Sequence, residues 1–276
     1  MNTRYSIPPD LAKSFDTAAL RTHFLIDDLF ADDGPNLTYS FDDRALVGGV
    51  SPAGPAELAV DREVTGTDYL LERRELGIIN VGGAGTVELD GTAYQLGHLD
   101  CLYVGRGTRR VVFASQDSQN RAYFYLQSVP AHADYPTTQA TISDAEIADI
   151  GCAESANQRR IHRYIHVDGI QSCQLVMGFT TVAPGSVWNT MPAHTHSRRM
   201  EAYFYFDVPE DQVVFHYMGE PTQTRHLVVR NHQAVLSPGW SIHAGSGTSS
   251  YSFIWGMAGE NMVYSDMDAV DMRHIL

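Results

Sequence analysis

The residues best placed to do chemistry are His194, His196 and Glu201, with His243 downstream. Side chains two apart on a strand share a face, so His194 and His196 can point to one side, and an irregularity before Glu201 can bring its carboxylate to the same point. The segment Pro238-Gly239-Trp240-Ser241-Ile242-His243 would supply a fourth donor from a turn leading into another strand. Three imidazoles and a carboxylate suit zinc, iron(II), manganese or nickel better than calcium or magnesium. A His-x-His pair alone is weak evidence in a chain with 12 histidines; Glu201 and His243 are what make it a metal motif.

The elements that must position these donors read as strands. Short apolar runs separated by turns occupy 69–71, 76–81, 86–89, 92–96, 100–104, 110–114 and 122–126, and Asp90-Gly91 between two of them is a hairpin signal. The pattern resumes at 161–167, 174–182, 202–206, 213–218, 226–229, 234–236 and 251–255. Asp16 could cap a helix running through Leu20, Phe24, Leu25 and Leu29, and a short helix is expected over 143–147. Many short strands with little helix predict an all-β chain of two sandwich or barrel halves: 1–130 with a helical arm, a connection at 131–158 rich in Pro, Thr, Ser, Ala and Asp, and 159–276 with the donors.

The halves read as relatives. Adding 125 to Arg73-Arg74 gives Arg198-Arg199, and Gly105-Arg106-Gly107 takes the place of Pro238-Gly239. In that register Tyr69, Leu71 and Leu76 stand for His194, His196 and Glu201 and, after a gap, Arg110 for His243, so the first half lacks the ligands.

Other features exclude. Acidic residues outnumber basic ones 33 to 19, for a net charge of −14, which argues against nucleic acid as a partner, though one local arginine cluster could still recognise a carboxylate. Cys101, Cys152 and Cys173 are odd in number and widely spaced, which predicts reduced structural thiols. The N-terminal stretch lacks the apolar core of a signal peptide and no run is long enough to span a membrane, so a soluble cytoplasmic protein is expected. Gly82-Gly83-Ala84-Gly85 leads into a hairpin, not a helix, and reads as a turn; His162 and His166 read as core or solvent-facing strand residues. Alternation turns at most one of Arg198 and Arg199 toward a substrate, and an ion pair with an acidic neighbour such as Glu72 or Glu75 is an equally good use for either.

His194-x-His196-x4-Glu201 followed by Pro238-Gly-x-x-x-His243 resembles the two metal motifs of the cupin superfamily, in a duplicated, bicupin layout. The only departure is that Gly239 directly follows Pro238. The stretches Glu72–Gly77, Asn80–Gly85, Trp188–His196 and Phe253–Asn261 resemble the 5-dehydro-4-deoxy-D-glucuronate isomerase family, also called 4-deoxy-L-threo-5-hexosulose-uronate ketol-isomerase, over nearly the whole chain. That resemblance implies a cytoplasmic enzyme of pectin breakdown, a homohexamer with one zinc per subunit on His194, His196, Glu201 and His243. It implies an aldose–ketose isomerisation giving 3-deoxy-D-glycero-2,5-hexodiulosonate by proton transfer between C2 and C1. A hydroxide on the metal, His226 or Glu260 are the candidates for the base, Glu201 being set aside as a ligand. Arg198, Arg199 or Arg225 are the candidates for the substrate carboxylate. Tyr203, Tyr205 and Met257 could also line the cavity. An iron-dependent cupin dioxygenase and a non-catalytic sugar-binding bicupin are the rival readings.

Overall fold

The computed structural model describes residues 1–276 and is built from strands, with helical segments of three to eight residues. It divides into two compact units that do not follow the chain in simple halves. One holds Met1–Thr3, Asp28–Ala145 and Tyr164–Val176; the other holds Arg4–Asp27, Glu146–Arg163 and Met177–Leu276. These units differ from the boundaries expected at 130 and 158 with the helical arm in the first half. Contact density instead groups the Asp16-capped helix and the strand Glu146–Ile150 with the donor-bearing unit.

Each unit carries a four-stranded sheet and belongs mostly to one seven-stranded sheet, in matching order. In the first, Ala56–Glu57, Val111–Ser115, Gly85–Leu89 and Thr92–Leu96 form the small sheet, and Arg74–Asn80 lies between Phe124–Pro130 and Cys101–Val104 in the large one. In the second, Trp188–Asn189, Ala244–Gly247, Val214–Glu220 and Gln223–Val229 form the small sheet, and Arg199–Phe206 lies between Ser252–Gly259 and Gln233–Ser237. Arg74 and Arg199 open equivalent strands 125 residues apart, and Arg110 and His243 each precede equivalent ones 133 residues apart, so the repeat read from the sequence is present in the structure with a gap between these points.

What fills the two interiors differs. Leu71 and Leu76 sit in an apolar cluster with Leu102, Val104, Phe113 and Phe124, each such side chain contributing about 1.5–3 kcal/mol by burial. Arg110 faces outward onto Glu57 and Glu88.

The expected strands are found with small shifts in their ends, except at 69–71. There the chain makes a 3-10 turn, Leu70–Glu72, in which two buried leucines serve the core without ladder partners. The Asp90-Gly91 hairpin is present, with both residues at positive φ, 49° and 89°. Asp16 caps its helix by accepting the Ala19 N–H, but the helix ends at Phe24 because Leu25–Ile26 joins a sheet edge. The helix expected over 143–147 is a 3-10 turn, Ile142–Asp144, opened by the Thr141–Asp144 capping box and ended where Ala145 turns extended and the strand Glu146–Ile150 begins. Gly82–Ala84 is a bend leading into the strand that begins at Gly85, and the three cysteines are free thiols. No helix is long and apolar enough to cross a membrane.

Candidate metal centre

The donors arrive from three places in the second unit. Glu201 is the third residue of the buried strand Arg199–Phe206, opposite Met257 and Ser237 on its two neighbours. His194 opens a two-residue strand paired with Asp268–Ala269, and His196 follows it at a turn closed by the Arg199 N–H on the His196 carbonyl, 3.1 Å. His243 ends the Pro238 turn, just before Ala244–Gly247. Gly239 is required there: a Cβ would lie 2.6 Å from the His196 carbonyl oxygen, so only glycine lets the two ligand-bearing loops pack backbone to backbone. His196 N–H donates to the Gly239 carbonyl at 3.2 Å.

His194 Nε2 lies 3.1 Å from His196 Nε2 and 2.9 Å from His243 Nε2, and those two are 3.1 Å apart. Glu201 Oε2 is 3.0 Å from both His196 Nε2 and His243 Nε2. His196 Nδ1 is 3.0 Å from the Asp266 carbonyl and His243 Nδ1 3.3 Å from that of Ser241. A neutral imidazole has one N–H, so if these carbonyls receive it, both Nε2 lone pairs point inward at each other. Converging lone pairs repel unless a cation lies between them. Donors about 2.1 Å from one ion at near right angles sit about 3 Å apart, close to the spacing observed. The four residues therefore could hold a metal ion, and they are the group that gathers three or more such side chains. His162, stacked on Phe179 at 4.2 Å, and His166 lie outside it.

Burial of Glu201 opposes its charge, but the neighbouring His243 and His196 outweigh that and hold the carboxyl well below its ordinary range. Burial, helped by the neighbouring His243, lowers His194 to about 3, keeping it neutral and able to ligate.

A cavity of about 390 Å³ opens beside the donors. Alternation explains its walls: Tyr203 shares the face of Glu201 and stands opposite Trp255, while Arg159, Ile161 and Arg163 line it from the strand Arg159–Ile165. Tyr203 bonds Thr190 Oγ1 at 2.9 Å, and burial raises its hydroxyl well above its usual pKa. Tyr264, also in the wall, is pushed up to about 12 by burial.

The residues expected to act on the substrate are placed elsewhere. His226 is exposed on Gln223–Val229, where Leu227 and Val229 take the inward positions, and its ring packs 5.7 Å from Phe215. Glu260 is exposed past the end of Ser252–Gly259, with its N–H on the Arg198 carbonyl. Neither lines the cavity. Arg199 is 2 % exposed and donates to the carbonyls of Val263, Tyr264 and Asp266. Arg198 is held by Asp266 and Asp268, and Arg225 by the Thr224 and Lys13 carbonyls. Glu72 and Glu75 pair with neither Arg198 nor Arg199; Glu75 receives the N–H groups of Cys173, Gln174 and Leu175. Tyr205 also turns from the cavity, onto His216 Nδ1 at 2.7 Å. His226→Asn and Glu260→Gln are accordingly expected to leave kcat/KM within about twofold of the parent, as surface substitutions do; a tenfold loss in either would return that residue to the chemistry.

Arg159, Arg163, Trp255 and Tyr264 were not singled out from the sequence as site residues. The signal was the alternation Arg159-x-Ile161-x-Arg163, cut short by starting the expected strand at 161.

The profile of the KduI/IolB family matches residues 24–275. This chain belongs to the KduI/IolB family. A family relative from Shouchella clausii, named 4-deoxy-L-threo-5-hexosulose-uronate ketol-isomerase, is 51% identical over 276 residues, the full length of both chains. Among solved structures, an IolB-like protein from Salmonella typhimurium aligns with a TM-score of 0.65 at 15% identity, covering 83% of this chain and 88% of its own. Bacillus subtilis oxalate decarboxylase, described with Mn(II) centres, aligns at 0.53 and 10% identity, over 80% and 69%. These two likenesses speak for the fold, and the all-β, cupin-like architecture expected from the sequence is the one observed.

Proposed function

We propose that this member of the KduI/IolB family is a 4-deoxy-L-threo-5-hexosulose-uronate ketol-isomerase carrying one zinc ion on His194, His196, Glu201 and His243. The observation that carries the reading is the convergence of those four donors beside a cavity, in a chain matched end to end by relatives of that name. With it we propose zinc as the ion, a homohexamer, a cytoplasmic location and a place in pectin or uronate breakdown, each supported only by the resemblance to that family.

When bound, the ion would polarise the C1 and C2 oxygens and stabilise the negative charge that develops when the C2 hydrogen leaves. The chain's own groups do the rest. Both contacts of Glu201 with the imidazoles use Oε2, and Oε1 takes part in neither. A carboxylate has two oxygens, so Glu201 can hold an ion through one and accept a proton on the other. In this scheme Oε1 takes the C2 proton and returns it to C1, while the hydroxyl proton on O2 passes to O1; C2 is oxidised as C1 is reduced within the same molecule, and no external oxidant is needed. Tyr203 and Tyr264, kept protonated by burial, serve as hydrogen-bond donors to substrate oxygens. Apolar walls at Ile161, Phe253 and Trp255 limit water around the carbanion-like state.

The experiment is to incubate the metal-loaded protein with the keto-uronate in deuterated water and follow it by NMR with an oxygen electrode in parallel. Interconversion with no oxygen uptake is expected. Oxygen consumption with oxidised product would establish the dioxygenase reading, and binding without turnover the sugar-binding one.

A further inference from the structure

The geometry points to Arg159 as the anchor for the substrate's carboxylate, and so as the residue that sets a preference for uronates over neutral sugars. The inference rests on the isomerase reading above and adds the recognition element that the ligand set cannot supply.

Arg159, Ile161 and Arg163 alternate along one strand and line one wall of the cavity, with Ile150, Ala148 and Glu146 directly opposite on the neighbouring strand. The two arginines differ in what faces them. Arg163 has Glu146 as its register partner, forms an ion pair with it and lies 5.1 Å over the Tyr264 ring. Arg159 faces Ile150, and its guanidinium makes one hydrogen bond, from Nη1 to the Asn157 carbonyl at 2.8 Å. A guanidinium has five N–H donors, so most of this fork has no protein acceptor. Neighbouring arginines are used up: Arg160 by Asp149, Arg198 by Asp266 and Asp268, Arg199 by three carbonyls.

Arg159 is also half-buried, and that burial lowers its pKa. A partly desolvated cation without a counter-charge is costly, and a bound carboxylate is the species that removes the cost, because its two oxygens match the fork. The donor cluster borders the same cavity, so a ligand with its oxygens there can reach Arg159 with a terminal acid. An open-chain uronate has that shape, its carboxylate being at the end opposite C1.

The test uses a keto-uronate reduced at C1, which binds but cannot isomerise, and the C6 amide of the same compound. Calorimetry on the metal-loaded protein is expected to show the acid bound about 10- to 100-fold more weakly by Arg159→Gln than by the parent, the range of a charge-assisted pair. Amide binding should stay within about twofold, and Arg159→Lys should recover part of the loss, since it restores charge without the fork. Metal content should be unchanged, because Arg159 touches none of the four donors. Equal binding of the acid by Arg159→Gln and the parent, or equal losses for acid and amide, would overturn the anchor. A protein that binds the acid through Arg159 but does not isomerise the keto-uronate keeps the anchor and loses the isomerase reading. One that isomerises while Arg159→Gln binds the acid normally loses the anchor alone.

Discussion

His243→Ala is expected to lower metal affinity by at least about 100-fold, more than the loss of a group that only hydrogen-bonds a ligand does, and kcat/KM by about 10³ or more, a loss of about 4 kcal/mol at the transition state. The imidazole is 1 % exposed and its Nε2 lies within 3.1 Å of both other histidine donors, so no neighbouring side chain can take its place. The fold should survive. Ile242 and Ala244 on either side pack into a small apolar cluster with Ala193, and the Pro238 turn is closed independently by the Ser241 N–H on the Pro238 carbonyl. Metal quantification, steady-state kinetics and circular dichroism on the same preparation check all three expectations. A variant that keeps one equivalent of metal and parental turnover would remove His243 from the site.

The second large effect belongs to Arg199, through position and not through substrate. Its guanidinium holds the carbonyls of Val263, Tyr264 and Asp266, and the Asp266 carbonyl is the oxygen that lies 3.0 Å from His196 Nδ1. Arg199 Nε is also 3.3 Å from that nitrogen, but an Nδ1 carrying its proton cannot accept from Arg199. Removing the arginine therefore frees the segment that orients a ligand imidazole and leaves three carbonyls unsatisfied. Arg199→Met is expected to destabilise the protein by about 3–5 kcal/mol, as loss of one partner in a buried charged network does. It should also weaken metal binding by about 10- to 100-fold, as loss of an outer-shell partner does. Denaturant unfolding with metal present and absent measures both. A merely structural Arg199 would lower stability and leave the affinity for zinc alone unchanged.

The donor set was legible in the sequence because each ligand is a side chain of the right type at a spacing that strands and turns convert into proximity. His194, His196, Glu201 and His243 do converge. The internal repeat was legible for the same reason: Arg74 and Arg199 open equivalent strands, and Leu76 occupies the place of Glu201. The groups around the donors were harder to read, because they depend on which strands are neighbours. Arg159 reaches the cavity only because Glu146–Ile150 and Arg159–Ile165 lie at the edge of the sheet whose middle carries Glu201. His226 and Glu260 have suitable chemistry on unsuitable faces. Register decides that, and it cannot be counted from residue type. The helix expected over 143–147 failed on a local matter: a capping box announces a first turn but not a second, and Ala145 onward returns to extended backbone.

The measurement that bears most directly on this account is a titration of metal-free protein with zinc, following bound metal and keto-uronate isomerisation together. Activity is expected to rise in proportion to bound zinc and to stop at one ion per chain, with His243→Ala flat across the same range. Full isomerase activity in the chelated protein, or none at saturating metal, would contradict it.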